Sequence, residues 1–334
     1  MGGGRLPKEL VEPTLQSTFD LVIDSHTAGC PVNATRWTYL RTSEIKNHLK
    51  DKGIQVSRSV IKRLVQKAGL GRRKMCKKLT MKKEIDGRNE QFEVISKQKA
   101  EHLSKGYAVL SIDTKSKENL GMFYRDGQIT SSEPINCYDH DFSSFSSGRV
   151  VPYGVYDVGL NTGYMILGRS ADTAEFNVAC LRQYWADYGS KNYTNNEPIL
   201  ILADGGGSNA SANRLFKQEI QGFADHIGRV IRIAHYPPYC SKYNPIEHRL
   251  FPYITKAWEG VMLDSRDTMK QLIEQRTKHL KSGLKIIVDF IEETFKKGVT
   301  VFDDYMDYLD IIFDEINPKW NYTLSPLIQN TTVI

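Results

Sequence analysis

Tyr107-Ala108-Val109-Leu110-Ser111-Ile112-Asp113 is a run of mostly apolar residues that ends in a carboxylate. Its length and composition predict a buried strand. Ile199-Leu200-Ile201-Leu202-Ala203-Asp204 repeats the pattern and is followed by three glycines. Open α/β sheets place their ligand crevices at the carboxyl ends of strands, so Asp113 and Asp204 are predicted to lie at such an edge.

The segments around these two strands predict a mixed α/β domain. Leu120–Tyr124 is expected to form a hairpin with the first strand, and residues 126–150 are rich in turn residues. The other predicted elements are strands at 151–158 and 163–167, a helix at 173–188, a strand at 199–203, a helix at 208–221, a strand at 229–234 and a helix from Pro245. This order predicts an RNase H-like core, in which helices flank a mixed sheet.

A third carboxylate follows the last predicted strand, because Glu247 opens the helix that begins at Pro245. Three acids that converge can hold two Mg²⁺ ions about 3.5–4 Å apart, which activate a water or a 3′-hydroxyl and stabilise both oxygens of an in-line phosphodiester displacement. Carboxylates crowded together without a cation repel one another and raise each other's pKa. Asp113, Asp204 and Glu247 are therefore candidate catalytic residues and metal ligands, with Mn²⁺ as a substitute for Mg²⁺.

Each acid also has a structural explanation. Asp113 can be a strand-end turn residue, and Asp204 can belong to a glycine-rich loop. Asn244 can cap the next helix, with Pro245 in its first position and Glu247 as the partner in a capping box. The three glycines match neither common phosphate-binding pattern, so the sequence does not predict a nucleotide site.

The composition is that of a folded protein. The chain has 334 residues, of which 40% are hydrophobic and 25% charged, which excludes a mainly disordered, collagenous or coiled-coil chain. The longest apolar runs are much shorter than the roughly 18 residues that span a membrane. The five cysteines form no C-x-x-C pair, so neither a disulfide framework nor a structural zinc site is predicted. With no secretory signal at its start, the chain is expected to be cytoplasmic.

Positive charge is concentrated near the N-terminus. The net charge is +6, yet residues 36–88 hold 17 Lys and Arg against four acids, and the rest of the chain is net acidic. A basic module joined to an acidic body is typical of a nucleic-acid-binding arm, although a solvated basic face gives the same composition.

The pattern within this basic stretch predicts a helix-turn-helix. A helix through Asp51 is followed by Lys52-Gly53, and Ser57 can cap a second helix with one apolar stripe. Seven basic side chains on or after the second helix are candidate DNA contacts: Arg58, Lys62, Arg63, Lys67, Arg72, Arg73 and Lys74. Any amphipathic helical hairpin with a basic surface shares this pattern.

Several longer strings resemble one family. SIDTKSKENLGMF (111–123), VPYGVYDVGLNTGY (151–164), DTAEFNVACLRQYW (172–185), LADGGGSNA (202–210), HYPPYCSKYNPIEHRLF (235–251) and KWNYT (319–323) resemble, in order, the Rhodopirellula-type DDE transposases of bacterial insertion sequences. Residues 36–64 resemble the DNA-binding segment of that family. Departures include Gly205 in place of the usual Ala and Ala210 in place of the usual Gly, and none removes a carboxylate.

The resemblance implies an RNase H-like core with an Asp-Asp-Glu triad that falls on Asp113, Asp204 and Glu247. It implies a transposase that binds its element's ends and target as double-stranded DNA, and that cuts and joins DNA with two Mg²⁺ per site, in the bacterial cytoplasm at the nucleoid. Family members commonly begin with another helix-turn-helix region. A single region per protomer predicts a homodimer or higher oligomer on DNA.

The predicted domains are a leader at 1–35, a helix-turn-helix module at 36–88, a linker helix at 89–105 and an RNase H-like DDE catalytic domain at 106–334. Two other functions stay open at this point: a non-catalytic DNA-binding descendant such as a repressor, and an RNase H-like nuclease without strand transfer. Five residues near the triad in sequence are further candidates for phosphate contacts: Lys115, Asn209, His235, Lys242 and Arg249.

Overall fold

The computed structural model of the chain describes residues 7–29, 36–73 and 85–327. The chain divides into an N-terminal unit, residues 1–79, and a C-terminal unit, residues 80–334. No helix in the described ranges is both long and apolar enough to cross a membrane. Lys74, one of the candidate DNA contacts, lies outside the described residues.

The described part of the N-terminal unit, residues 7–29 and 36–73, contains four helices and a two-stranded antiparallel sheet. Its elements are α1 (Lys8–Val11), α2 (Leu15–Ser25), β1 (Thr27–Gly29), β2 (Arg36–Thr38), α3 (Thr42–Asp51) and α4 (Arg58–Lys67). The two helices predicted from the sequence are therefore present as α3 and α4.

Hydrogen bonds close in sequence explain where α3 and α4 begin, and a glycine explains where the chain turns after α3. The Ser57 hydroxyl caps α4 by accepting a hydrogen bond from the Val60 N–H at 3.4 Å. Helix α3 begins at Thr42 after the N-cap residue Arg41, whose N–H donates to the Glu44 carboxylate at 2.5 Å. Gly53 follows α3 with a φ of 83°, a left-handed conformation that glycine adopts without strain.

Helix α2 belongs to the same small core as α3 and α4, although residues 15–25 fall in the segment predicted as a leader. Its buried residues share one face at helical spacing. The core consists of Leu15, Phe19, Val22, Ile23, Ile45, Leu49, Ile54, Val56, Ile61 and Leu64.

The C-terminal unit is built around one large sheet. Its helices are α5 (Arg88–Ser104), α6 (Ala174–Tyr184), α7 (Ser190–Asn192), α8 (Arg214–Ile227), α9 (Pro245–Arg249), α10 (Phe251–Trp258) and α11 (Arg266–Thr277). Its strands are β3 (Val109–Thr114), β4 (Glu118–Leu120), β5 (Gly148–Asp157), β6 (Thr162–Gly168), β7 (Ile199–Ala203), β8 (Ile231–His235), β9 (Lys285–Ile291), β10 (Ile311–Phe313) and β11 (Asn321–Leu324). A π-helical turn, Trp185–Gly189, follows α6, and four 3₁₀ turns lie at Ser143–Phe145, Gly207–Asn209, Ser241–Tyr243 and Tyr305–Tyr308.

The strand order is β10-β11-β8-β7-β3-β5-β6-β9, with β4 paired to β5. Strands β3, β5 and β6 are antiparallel neighbours, whereas β7 and β8 run parallel to β3 on its other side. Three antiparallel strands followed by two parallel ones form a mixed sheet, as predicted. Helices α6 and α8 cover one face of the sheet, and α5 with α9, α10 and α11 cover the other.

The predicted hairpin of Leu120–Tyr124 with the first strand is wrong. Strand β4 pairs with the start of β5, in the register Glu118↔Val150. Both edges of β3 are already occupied, by β5 and β7, so no edge is left for a hairpin partner.

Helix α8 differs from its predicted extent, and helix α5 differs from its predicted role. Helix α8 begins at Arg214 and not at residue 208, because the Asn213 side chain caps it by accepting from the Phe216 N–H at 3.3 Å. Helix α5, predicted as a linker, packs against the sheet, and Gln91 and Ile95 are buried there.

Candidate active site

Asp113 and Asp204 lie side by side in the sheet. Asp113 is the second-last residue of β3, and Asp204 directly follows β7. These strands are parallel and paired in the register Ser111↔Leu202. The two acids therefore stand at the same level at the carboxyl edge, as the sequence predicted.

Glu247 reaches this edge because α9 is fastened to β3. The buried Ser111 hydroxyl donates to Asn244 Oδ1 at 2.5 Å and accepts from the Ile246 N–H at 2.9 Å. Asn244 Nδ2 donates to the Ile112 carbonyl at 3.1 Å. Asn244 makes no side-chain capping bond to α9, so the predicted capping-box explanation for Glu247 does not hold.

A glycine makes room for this helix. Gly154 on β5 pairs with Asp113 on β3. A Cβ at residue 154 would lie 2.7 Å from Ile246 Cδ1 and 2.8 Å from Phe251 Cε1. The absence of a side chain at this point of β5 thus lets α9 lie across the sheet beside Asp113.

The three carboxyls are half-buried and interact electrostatically. Burial first, and then the charges of Asp204 and Glu247 with a hydrogen bond to Glu247, raise the pKa of Asp113 to about 8. Burial, aided by the charges of Glu247 and Asp172, also raises the pKa of Asp204. Hydrogen bonds from Thr114 N–H to Asp113 and from Gly206 N–H to Asp204 act in the opposite direction. A hydrogen bond between two carboxyls requires a proton, so the raised pKa of Asp113 favours a proton shared by Asp113 and Glu247 in the metal-free protein.

This donor set suits a hard divalent cation. Three carboxyl side chains lie together where they are partly shielded from water, and each negative charge makes ionisation of the others less favourable. A bound cation removes this electrostatic repulsion. Within the described ranges, no group of three or more His, Cys, Asp or Glu side chains already has metal-site geometry. Because this geometry is not already present, ligation of a cation requires the carboxyls to reorient.

His235 is buried and contacts the backbone of the site at Asp204. It is the last residue of β8 and has no exposed surface. Its Nδ1 lies 3.1 Å from the Asp204 carbonyl oxygen, and its Nε2 lies 3.1 Å from the Tyr322 hydroxyl. Because that carbonyl can only accept, Nδ1 is the donor and Nε2 accepts from Tyr322. Burial lowers the pKa of His235 to about 4.

The four other candidates for phosphate contacts differ in how exposed their side chains are. Asn209 is 3% exposed and engaged in side-chain hydrogen bonds, so like His235 it is unsuited to contact DNA. Lys115 pairs with Glu118 at 3.3 Å and lies over the Trp258 ring. Lys242 and Arg249 are exposed.

Sequence reasoning missed a fourth acid, Asp172. Its Oδ1 accepts from the hydroxyls of Ser208 at 2.6 Å and Thr114 at 3.2 Å, and its Oδ2 lies 3.7 Å from Lys117 Nζ. Asp172 belongs to one of the strings that resemble the family, but its partners are distant in sequence. No local spacing pattern joins it to the other acids.

The described basic candidates of the N-terminal unit all lie at its surface. Arg58, Lys62, Arg63 and Lys67 project from α4 on the sides away from the buried Ile61 and Leu64. Arg72 and Arg73 follow α4 and are also exposed. This amphipathic arrangement leaves a basic surface on the helix that was predicted to read DNA.

Comparisons with known proteins agree with the motif strings. The family model described as Rhodopirellula transposase DDE domain matches residues 18–326. The comparison with curated proteins gives no match.

Several solved structures match at low identity. The Mos1 transposase paired-end complex with left transposon end is 11% identical with a TM-score of 0.43, over 85% of this chain and 75% of that one. The crystal structure of the Mos1 mariner paired end complex with Mn is 12% identical with a TM-score of 0.42, over 85% and 76%. The Mos1 strand transfer complex is 13% identical with a TM-score of 0.41, over 84% and 74%.

Proposed function

The chain belongs to the Rhodopirellula transposase DDE domain family, and we propose that it cuts and joins DNA at the ends of an insertion sequence. The observation that carries this proposal is the convergence of three half-buried carboxyls from three separate elements, β3, the end of β7 and α9. Asp113, Asp204 and Glu247 are the catalytic residues in this proposal.

Asp113, Asp204 and Glu247 would hold two Mg²⁺ ions, or Mn²⁺ in their place. When bound, the ions supply Lewis acidity to the attacking and leaving oxygens of the phosphodiester. The protein supplies the placement: the β3–β7 pairing sets the two aspartates at one level, and the Ser111–Asn244 contacts hold the helix of Glu247. Asp113 must release its proton before it can act as a ligand.

DNA binding is assigned to the N-terminal unit. Arg58, Lys62, Arg63 and Lys67 on α4, with Arg72, Arg73 and Lys74 after it, would neutralise phosphates and contact base edges. Element ends and target are both double-stranded DNA. One reading helix of this kind buries roughly 600–1,000 Å², so a dimer or higher assembly, which brings two such helices to the DNA, would increase specificity.

Two other functions are compatible with this fold, and an experiment can distinguish them from a transposase. A repressor-like descendant binds DNA without cutting it. The carboxyl cluster favours an enzyme, because none of its three members is missing. A nuclease cuts DNA but does not join the freed 3′-hydroxyl to a target.

The test is a cleavage and joining assay on DNA that carries the element's own ends. Wild-type protein with Mg²⁺ or Mn²⁺ is expected to nick the ends and join them to target DNA. Asp113→Asn, Asp204→Asn and Glu247→Gln should each abolish both steps while specific DNA binding persists. Asp289→Asn on β9 is a control that alters a half-buried carboxyl outside the triad. Equal loss of cutting and binding in the triad variants would contradict the proposal, and cutting without joining would favour a nuclease.

A further inference from the structure

A network of buried and half-buried polar side chains lies beside the triad and has no assigned role. Asn177 Nδ2 donates to Ser208 Oγ at 2.6 Å and to Asn209 Oδ1 at 2.7 Å. The Ser208 hydroxyl donates in turn to Asp172 Oδ1 at 2.6 Å. Thr114, the neighbour of Asp113, donates to Asp172 Oδ1 at 3.2 Å.

The network joins two segments that flank Asp113 and Asp204 to the start of α6. Thr114 ends β3, Asp172 and Asn177 lie before and within α6, and Ser208 and Asn209 form the 3₁₀ turn after Asp204. Asn177 is fully buried and Asn209 is 3% exposed. Buried amides of this kind are costly unless they are paired, so this arrangement is strongly specified.

Helix α6 does not need the network to stay in place. Thr173 caps it by accepting from the Phe176 N–H at 3.3 Å, and Phe176, Val178 and Leu181 anchor it in the apolar core. The loop after Asp204 has no apolar anchor at residues 205–207, which are glycines without side chains, and outside the network it is held by His235 Nδ1 on the Asp204 carbonyl at 3.1 Å and by Asn213 Nδ2 on the Ser208 carbonyl at 2.9 Å. Gly207 adopts a φ of 67°, and glycine loses more conformational entropy on ordering than other residues.

We propose that Asp172, Asn177 and Ser208 are positioning residues that fix the Asp204–Asn209 loop against the end of β3 and so set the separation of Asp113 and Asp204. This inference rests on the proposed function, because its consequence is a cation site of the correct spacing. The network acts through Asp204 and does not itself contact the reacting atoms.

The first test uses the metal-free protein and needs no activity. Asn177→Ala and Ser208→Ala should speed amide hydrogen exchange in residues 204–213 while β3 stays protected. Ser208→Thr keeps the hydroxyl and should restore protection. Gln183→Ala is the matched control, since Gln183 also lies on α6 but donates to the Phe290 carbonyl at 3.1 Å. Unchanged exchange in both network variants would overturn the inference.

The second test measures Mn²⁺ affinity by titration without DNA. Loss of a residue that orients a metal ligand typically weakens affinity by about 10–100-fold, and this is expected for Asn177→Ala and Ser208→Ala but not for Gln183→Ala. Asp172→Asn keeps the oxygen that Ser208 needs and should bind Mn²⁺ nearly as wild type does.

The outcomes separate the two proposals. If wild type binds Mn²⁺, Asp204→Asn does not, and the network variants bind as wild type does, the positioning role fails and the proposed function stands. If Asp172→Asn loses binding as completely as Asp204→Asn, Asp172 is a ligand and the positioning role assigned to it is wrong. If wild type binds no Mn²⁺, the proposed function fails and this inference fails with it.

Discussion

At the scale of single residues, the site depends on charges and dipoles that the fold shields partly from water. Asp113 and Asp204 were predicted from two apolar strands that end in Asp, because strand ends are readable from sequence. Asp172 and Asn177 were not predicted, because their partners Thr114 and Ser208 lie far away in the chain. Only the folded sheet brings these hydroxyls and amides together.

His235 gives a prediction about pH and stability. Its pKa is lowered to about 4 in the folded protein, whereas a histidine in an unfolded chain has a pKa of about 6.5. Below about pH 6.5 the unfolded chain binds a proton at His235, whereas the folded chain keeps this ring neutral. The free energy of unfolding therefore decreases as the pH falls toward 4. From about pH 7 to about pH 5 this loss should be about 2 kcal/mol of the free energy of unfolding.

Urea unfolding at the two pH values measures this effect. His235→Gln removes the titrating ring and should reduce the pH-dependent loss by about the same 2 kcal/mol. His279→Gln, at an exposed histidine, is the control and should leave the pH dependence as it is in wild type. An equal pH dependence in His235→Gln and wild type would show that His235 does not carry the effect.

At the scale of elements, the position of Glu247 depends on how a short helix is attached to a strand. The sequence predicted a helix from Pro245, and α9 is present as Pro245–Arg249. It did not predict that Asn244 turns away from the helix end to bond β3, because a local pattern favours the capping role. The same limit explains the wrong hairpin partner for β3: sequence proximity favours Leu120–Tyr124, whereas the sheet gives both edges of β3 to other strands.

Ser111→Ala tests this attachment. The change leaves Asn244 Oδ1 without the Ser111 hydroxyl and the Ile246 N–H without its acceptor, which should cost about 1–3 kcal/mol of stability. Because α9 carries Glu247, cleavage of element-end DNA should fall more than DNA affinity does. Ser190→Ala removes an exposed hydroxyl on α7 and is the control. A variant that loses stability but cuts DNA at the wild-type rate would show that Glu247 needs no such anchor.

At the scale of the whole molecule, positive charge and carboxyl chemistry occupy different units. Residues 36–79 of the N-terminal unit carry 14 Lys and Arg against two acids, a net charge of +12, while the three carboxyls lie in the C-terminal unit. This division could be predicted from the sequence, because an excess of basic over acidic residues is found by counting the charged residues in each segment. The packing of α2 with α3 and α4, and of α5 with the sheet, became evident only from the folded cores.

The charge division predicts a steep dependence of DNA binding on salt. Each phosphate neutralised on duplex DNA should contribute a slope of about −0.9 to the logarithm of affinity against the logarithm of salt concentration. Arg58→Ala with Lys62→Ala should flatten the slope by about 0.9 for each phosphate that is no longer neutralised. Lys278→Ala with Lys281→Ala, at exposed positions of the C-terminal unit, is the matched control. Equal slopes of log affinity against log salt concentration for both double variants would show that α4 is not part of the DNA interface.

Asp113, Asp204 and Glu247 are expected to bind divalent cations together, and Mn²⁺ titration of the full chain, followed by electron paramagnetic resonance of free Mn²⁺, measures this binding. Wild type should bind two ions, and more tightly as the pH rises toward 8, because Asp113, with its pKa raised to about 8, must lose its proton to ligate. Asp204→Asn should lose this binding, and Asp289→Asn should keep it. Binding that is the same in wild type and Asp204→Asn would contradict the account.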